Sequence, residues 1–400
     1  EVLARFDMEL PNMRAALAWA AEAREAETLQ RLCLALWKHW WVRRHISESQ
    51  VWLDAALSLP EVKPVYECEL RYVSGSFALG RGDLTAVRRH AEAGLALAEA
   101  NGDAFWRQAQ MMLLGHTMRA AGRPKEAIDL YERALQIVTE LLSEKPFASH
   151  VLAFLSASLS ATFYAVEDLE QANAKAEEAL AIWRDRGDPW GVGIALLNLG
   201  AIAAARGDFE QAAEHYGDAI CHNIESGDPW GIAEGLNGLA HAAMHYDLGE
   251  LTARLLGARD RLEPDAEQPT PAAITRDRIN TAPPISDSAG DAAFTRAIDE
   301  GRQLSNAEVG ELTQLAVASV RARAEALTQT LPRASSGGGL TTRESQVLRL
   351  VAEGRTDQAI ADELYLARRT VTSHLTSIFN KLGVENRAAA TAHAIRSGLI

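Results

Sequence analysis

The sequence predicts an all-α fold, an array of helical repeats followed by a small bundle at the C-terminal end. Three observations carry this expectation. The stretch "GDPWGVGIALLNLGAIAAARGDFEQAAEHYGDAI" from Gly187 is echoed by "GDPWGIAEGLNGLAHAAMHYDLGELTARLL" from Gly227, a spacing of 40 residues. Turn pairs fall in step at Gly82-Asp83, Gly122-Arg123, Glu167-Asp168, Gly207-Asp208 and Tyr246-Asp247, at intervals of 40, 45, 40 and about 40 residues. Close to the end, Val371, Leu375, Ile378 and Leu382 recur at steps of 4, 3 and 4, the period of one helix face.

The bulk numbers bound what such a chain does. Four hundred residues allow two or three domains, and a hydrophobic fraction of 48% beside a charged fraction of 24% is that of a globular protein. No apolar run is expected to reach the roughly 18–20 residues that cross a bilayer, and no signal peptide opens the chain, so a cytoplasmic protein with no membrane partner is expected. The chain starts at Glu1 inside a helix-like stretch, "LPNMRAALAWAAEA" following shortly after, and a fragment or processed product with something missing upstream is expected. Cys33, Cys68 and Cys221 are odd in number, far apart and set among apolar helical residues, the pattern of buried free thiols in a reducing compartment. The formal net charge of -14 is uneven: residues 340–400 hold eight Arg/Lys against six Asp/Glu, so the acidity belongs to the body. An acidic body disfavours nucleic acid over its surface, and only the tail is suited to it.

Each unit of the body reads as an apolar helix, a Gly/Asp turn and a second helix such as "EQAAEHYGDAI". Ala127, Ala172 and Ala212 follow the turns where two helices must cross closely, and Tyr131-Ala134-Leu135 and Tyr216-Ala219-Ile220 recur at matching offsets. With the Leu-Gly pair of "LNLG", these residues resemble a tetratricopeptide repeat over roughly 65–260, and the resemblance implies a superhelix of helix pairs. The unit of 40 residues exceeds the family's usual 34, which implies longer helices or turns. "LALWKHWWVRRHISESQVWLDAAL" (34–57) fits one more unit, with Trp37, Trp40 and Trp41 at helical spacing as core residues. His241 and His245 stand one helical turn apart, but "HAAMH" lacks the glutamate that HExxH supplies as a base, and no metal role is assigned. Arg81-Gly82-Asp83 is repeat-turn chemistry. No GxxxxGK[ST] loop, GxSxG elbow or CxxC pair occurs, so no enzyme is expected; helical repeats present grooves to partners.

The expected organisation is a repeat domain over 1–262 and a Pro-rich loop with a helical extension over 263–331. A flexible linker "PRASSGGG" (332–339) and a helical DNA-binding domain over 340–400 follow. Eight linker residues span roughly 16 Å as a random coil. In the tail, Thr341 and Glu344 form a capping box before Val347, Leu348, Leu350 and Val351, and Gly354 stops that helix. Thr356 caps a second helix that buries Ala359, Ile360 and Leu364, and "YLA" turns the chain into the third. Gly383 ends the third helix, and Asn386 caps a last one with Ala392 and Ile395 inward. With the stripe from Val371 to Leu382 buried, Arg369, Thr372, Ser373, Thr376 and Asn380 face out. A helix held this way against another by a short turn enters a DNA major groove, where hydroxyls and amides read bases and arginines meet phosphates.

"LTTRESQVLRLVAEGRTDQAIADELYLARRTVTSHLTSIFNKLGVENRAAA" closely resembles the four-helix DNA-binding domain of LuxR-type regulators, whose pattern LTxRExxVLxLVAxG…IAxxL…TVxxHxxxIxxKLxVxxR it meets at nearly every fixed position. The resemblance implies base reading by Thr372, Ser373 and Thr376. It implies a phosphate grip by Arg368, Arg369 and Thr370, with help from His374, Lys381 and Arg387, and pairing of two copies on DNA through 387–397. Four departures matter: Ala367 replaces the serine that caps the reading helix, a loss of roughly 1 kcal/mol. Thr372 and Gln358 stand where lysines are frequent, and Ser377 where asparagine is. Fewer cations release fewer counterions, so a low affinity per domain and a shallow salt dependence are expected.

Repeats followed by this tail resemble the large ATP-dependent LuxR regulators related to MalT, in which an upstream P-loop module is the switch. That implies no cofactor in this chain and ATP on a module upstream of it. The expected function is a DNA-binding transcription regulator whose repeats sense a protein or small-molecule effector and whose tail binds double-stranded DNA as a homodimer. The alternative is a protein-interaction scaffold with a vestigial or protein-docking bundle.

Overall fold

The computed structural model describes residues 2–42, 45–59, 64–142, 148–262, 292–330, 340–364, 368–384 and 386–396. All regular structure among them is helical. Described residues up to Gly191 form one compact unit, and those from Val192 onward a second. The expected linker, 332–339, and the Pro-rich stretch, 263–287, lie outside the described residues.

The first unit opens with α1 (Val2–Glu22), α2 (Ala26–Val42) and α3 (Ile46–Ser58), packed with α4 (Pro64–Gly80). Their core is Leu17, Leu29, Leu36, Trp40, Leu53 and Phe77, with Trp37 and Trp41 against its edge, so the tryptophans are packing residues. The paired helices α4 with α5 (Leu84–Ala100), α6 (Ala104–Ala120) with α7 (Pro124–Leu141), and α8 (Ala148–Ala165) with α9 (Leu169–Arg186) follow. The second unit repeats the scheme: α10 (Pro189–Ala205) ends in it, and α11 (Phe209–Ser226) packs on α12 (Pro229–His245), which packs on α13 (Gly249–Leu262).

Every sequence-predicted mid-repeat turn has one residue in the left-handed region: Gly82, Gly122, Glu167, Gly207 and Asp247, at φ of 73°, 72°, 65°, 80° and 58°. That conformation ends one helix and reverses the chain. The following aspartate then caps the next helix: Asp83, Asp168 and Asp208 accept from the N–H groups of Ala86, Gln171 and Gln211. The recurrent sequence pair is thus one stop signal and one start signal in adjacent positions.

The Leu-Gly and Tyr positions meet in space. In the first unit, a side chain on Gly115 would place its Cβ 2.5 Å from the Tyr131 ring. In the second, the Tyr216 ring fills the space over both Gly200 and Gly238. Tyr131 and Tyr216 are buried, as are Ala127, Ala172 and Ala212 at the helix crossings. The large ring needs a bare backbone opposite it, which explains why the sequence repeats both residues together. The Tyr131 hydroxyl lies 2.6 Å from His116 Nδ1 in this core. Burial there, followed by the charge of Arg119, pushes the His116 pKa down to about 3, so the ring is neutral.

The expected helix after Asp291 is two helices, α14 (Ala292–Arg302) and α15 (Asn306–Thr330), with Ser305 and Glu308 joined at the break. α14 packs on α13, and α15 on α11 and α12. Four further helices, α16 (Thr342–Ala352), α17 (Asp357–Glu363), α18 (Arg368–Leu382) and α19 (Arg387–Arg396), close the chain around their own core.

Two expectations need correction. Cys33 and Cys68 are buried, but Cys221 is exposed, because it falls on the outer side of α11. The expectation that no apolar run approaches bilayer length also fails: α8 has 18 residues and no formal charge. Ala153, Leu155, Leu159 and Ala161 are buried in the unit, so its apolar character serves packing against α7 and α9.

Packing of Tyr216 over Gly238 predicts that Gly238→Ala, whose Cβ would lie 2.3 Å from the ring, lowers stability by about 2 kcal/mol. Gly249→Ala, with open space around it, should leave the stability within about 0.5 kcal/mol of the parent. Circular-dichroism melting of the two variants checks the contrast.

Candidate nucleic-acid interface

The C-terminal four helices are built as their sequence dictates. Thr341 and Glu344 form the capping box of α16, with the Thr341 hydroxyl accepting from the Glu344 N–H and the Glu344 carboxylate accepting from the Thr341 N–H. Gly354, at φ 82°, ends the helix. Thr356 caps α17, and Asn386 caps α19 by accepting from the Ala389 N–H at 2.9 Å. Val347, Leu348, Leu350 and Val351 of α16, Ile360 of α17 and the stripe Val371, Leu375, Ile378 and Leu382 of α18 are buried together.

Burying that stripe fixes the rotation of α18. Thr372, Thr376 and Asn380, one helical turn apart in succession, are exposed. The Thr376 hydroxyl donates to the Thr372 carbonyl at 3.0 Å. Thr370 is half-buried at the first turn. Arg368 and Arg369 begin the helix and Ser373 sits between the two threonines; the side chains of these three lie outside the described residues. The 15 residues of α18 give a rod of about 22 Å, with hydroxyl and amide groups along one edge.

Lys381 and Arg387 of the expected phosphate grip are engaged inside the domain. Lys381 Nζ donates to the Glu344 carboxylate at 2.7 Å. Arg387 donates to Asp357 at 2.6 Å and also to the Arg355 carbonyl, stitching the start of α19 to the start of α17. His374 is half-buried with its Nε2 enclosed and unpartnered. Burial, then the charge of Arg343, holds its pKa below the ordinary histidine value, so it is a neutral ring at neutral pH.

Two residues outside the predicted set hold the interface in shape. Glu344 is buried, yet its carboxylate accepts from the Ser377 hydroxyl at 2.6 Å, from Lys381 and from the Thr341 N–H. Desolvation pushes its pKa up, and the bonds from Lys381, Ser377 and Thr341 overcome this, leaving it at about 2. One ionised carboxylate therefore clamps the middle of α18 to the first turn of α16. Arg343, next to it, donates to the Leu364 carbonyl at 2.6 Å and to Gln346 at 2.8 Å, closing the open end of α17. The signal for the clamp lay in the capping box, with Ser377 and Lys381 four residues apart on one helix face.

The last helix is rotated from the expected phase. Ala390 and Ala394 point inward, while Ala392 is exposed and Ile395 is 62% exposed. Contact of α19 with α16 and α18 uses its smallest side chains, which brings the backbones close.

Residues 339–394 match the bacterial regulatory proteins of the luxR family, and residues 110–145 match a tetratricopeptide repeat. The chain carries a LuxR-type helix-turn-helix domain at this end and tetratricopeptide-like repeats before it. The transcriptional regulatory protein LiaR of Bacillus subtilis is 43% identical over 61 residues, 15% of this chain and 29% of LiaR. A Mycobacterium bovis protein named as an HTH-type transcriptional regulator, Mb0914c, is 36% identical over 115 residues, 28% of this chain and 12% of that protein. The chain thus spans less than a third of the length of either relative. Among solved structures, a signal-transduction ATPase with a tetratricopeptide repeat sensor from Pyrococcus horikoshii is similar with a TM-score of 0.46 and 14% identity, over 77% of this chain and 49% of that one.

The Glu344 clamp has a definite pH signature. Its folded pKa is about 2 against an ordinary 4.5, so its contribution is complete above about pH 4.5 and disappears as pH falls through about 2. Glu344→Gln should cost about 3 kcal/mol at pH 7, and the gap from the parent should close between about pH 4.5 and 2. Chemical denaturation followed across that range reads it; a gap that persists at pH 2 would remove the carboxylate from this role.

Proposed function

We propose that the chain, ending in a LuxR-type helix-turn-helix domain, is a DNA-binding transcription regulator in which α18 reads the major groove. The observation that supports this is the outward row of Thr372, Thr376 and Asn380 on a helix whose opposite side is locked by four aliphatic residues and a buried carboxylate. Hydroxyls and an amide on a rod of that size match base edges in a groove about 12 Å wide. Thr372, Ser373 and Thr376 are assigned to bases, and Arg368, Arg369 and Thr370 to phosphates. Lys381, Arg387 and His374 act on DNA through the shape of the domain, because Lys381 and Arg387 are paired within it and His374 is turned partly inward.

The proposed division of labour follows the chain: repeats over 1–262, their extension to 331, a linker over 332–339 and the DNA-binding domain over 340–400. The repeats take a protein or small-molecule effector. Two copies pair on DNA through 387–397, where the outward Ala392 and Ile395 form a small apolar face on α19. None of these steps calls for catalysis by the chain, and the relatives are themselves named as regulators.

With two arginines per domain at phosphates, the logarithmic salt slope should be about -2 per domain and about -4 per dimer. Genomic fragments selected by the full chain supply the probe. On these, Arg369→Ala should weaken binding to all sequences alike and reduce the dimer's slope by about 2. Ile395→Glu should leave the helical content unchanged and abolish cooperative binding to paired half-sites. Binding that is indifferent to salt and to Arg369→Ala would contradict the proposal.

A further inference from the structure

Between α3, α4 and α5 the first unit has a small, partly open cavity of about 10 Å³, lined among others by Asp54, Ser74, Arg81, Arg89 and His90. That is room for roughly one water-sized atom. Ser74 and His90 are 6% and 7% exposed. Ser74 Oγ, His90 Nδ1 and Arg81 Nη1 are buried polar atoms without a hydrogen-bond partner in the protein. Buried polar atoms are nearly always paired, so three orphans around one cavity require an explanation.

The protonation of His90 gives its direction. Arg89 Nη2 lies 3.2 Å from His90 Nε2. A guanidinium has only hydrogens to give, so Nε2 must accept. Burial, then the charges of Arg89 and Arg71, hold the His90 pKa down to about 4 despite Asp54, so the ring is neutral and its one proton sits on Nδ1. The cavity is therefore met by an imidazole N–H, a guanidinium N–H and a hydroxyl that is free to turn its proton inward. The imidazole and guanidinium N–H groups require an acceptor, and the hydroxyl can donate to the same atom. A water accepts only two hydrogen bonds and brings two protons of its own.

The surrounding charge has the same sign preference. Arg81 and Arg89 flank the site, while Arg71 is paired with Glu67 at 2.5 Å. Asp54 on the exposed rim is the one carboxylate lining the cavity.

We propose that this cavity binds a single anionic acceptor atom, a halide ion or one oxygen of a formate-sized carboxylate, held by Ser74 Oγ, Arg81 Nη1 and His90 Nδ1. The bound atom ties the α4–α5 turn, where Arg81 sits, to the inner face of α5 and to the middle of α4. An anion there stiffens the helix pair without entering any groove of the repeats.

The test uses the full chain at constant ionic strength, exchanging sodium gluconate for sodium chloride in one series and for sodium formate in another. Gluconate carries a polyol chain that the cavity cannot take in. Each tenfold rise of the preferred anion above its dissociation constant should raise the melting temperature by about 2–4 °C. The preferred series distinguishes halide from carboxylate. Arg81→Met should remove the dependence of melting on chloride and formate. Should that variant fail to fold, anomalous scattering from bromide-soaked crystals of the parent takes its place, with a peak expected among Ser74, Arg81 and His90. Identical melting in all three salts, or a water molecule in place of bromide among Ser74, Arg81 and His90 under saturating bromide, would overturn the site.

Discussion

The buried carboxylate of Glu344 is the interaction on which the C-terminal domain depends. It belongs to the first turn of α16, and it receives bonds from Ser377 and Lys381 on α18 as well as from its own cap. A charge taken out of water is costly unless its lone pairs are filled, and here they are filled from two directions. Because Ser377 and Lys381 lie one helical turn apart, the carboxylate resists both sliding and rotation of α18. The aliphatic stripe alone would tolerate a small roll of the helix; a set of directional bonds does not. The outward row of Thr372, Thr376 and Asn380 therefore inherits its aim from an acidic residue on the far side of the helix.

The repeats rest on a different constraint, the exclusion of side chains where rings must lie. Tyr131 over Gly115, and Tyr216 over Gly200 and Gly238, fill volumes that a single added methyl group would contest. Left-handed turn residues and the aspartate caps after them then set where each helix stops and starts. Packing and chain reversal are thus encoded by separate residues, so turns can vary in chemistry. Glu167 and Asp247 adopt the same backbone as the glycines at the other turns.

Much of this was legible in the sequence because its signals are binary. Turns, caps, the stripe on α18 and the buried Ala127, Ala172 and Ala212 follow from spacing and side-chain size. The phase of α19 was not legible: half of "RAAATAHAIR" is alanine, and small residues fall on every side of the helix. The isoleucine drew the expectation inward, whereas close approach to α16 and α18 selected Ala390 and Ala394 instead. The partners of Lys381 and Arg387 were likewise hidden, because a basic residue near a DNA-facing helix carries no mark of whether a carboxylate across the domain has claimed it. The length of α8 was missed in the opposite sense, since an uncharged helix in a repeat core meets the same compositional test as a membrane span.

An ionised clamp, an aliphatic stripe and the paired Lys381 give α18 a fixed outer edge. The aim of that edge is tested most directly by photo-crosslinking. A benzophenone amino acid is introduced in the full chain at Thr376 and, separately, at Ile395, and each protein is irradiated with genomic fragments it has selected. Crosslinks to bases from position 376, and to a second protein chain from position 395, are the predicted result. Failure of position 376 to reach any base, while the protein still retains the fragments, would contradict the placement of α18 in the groove.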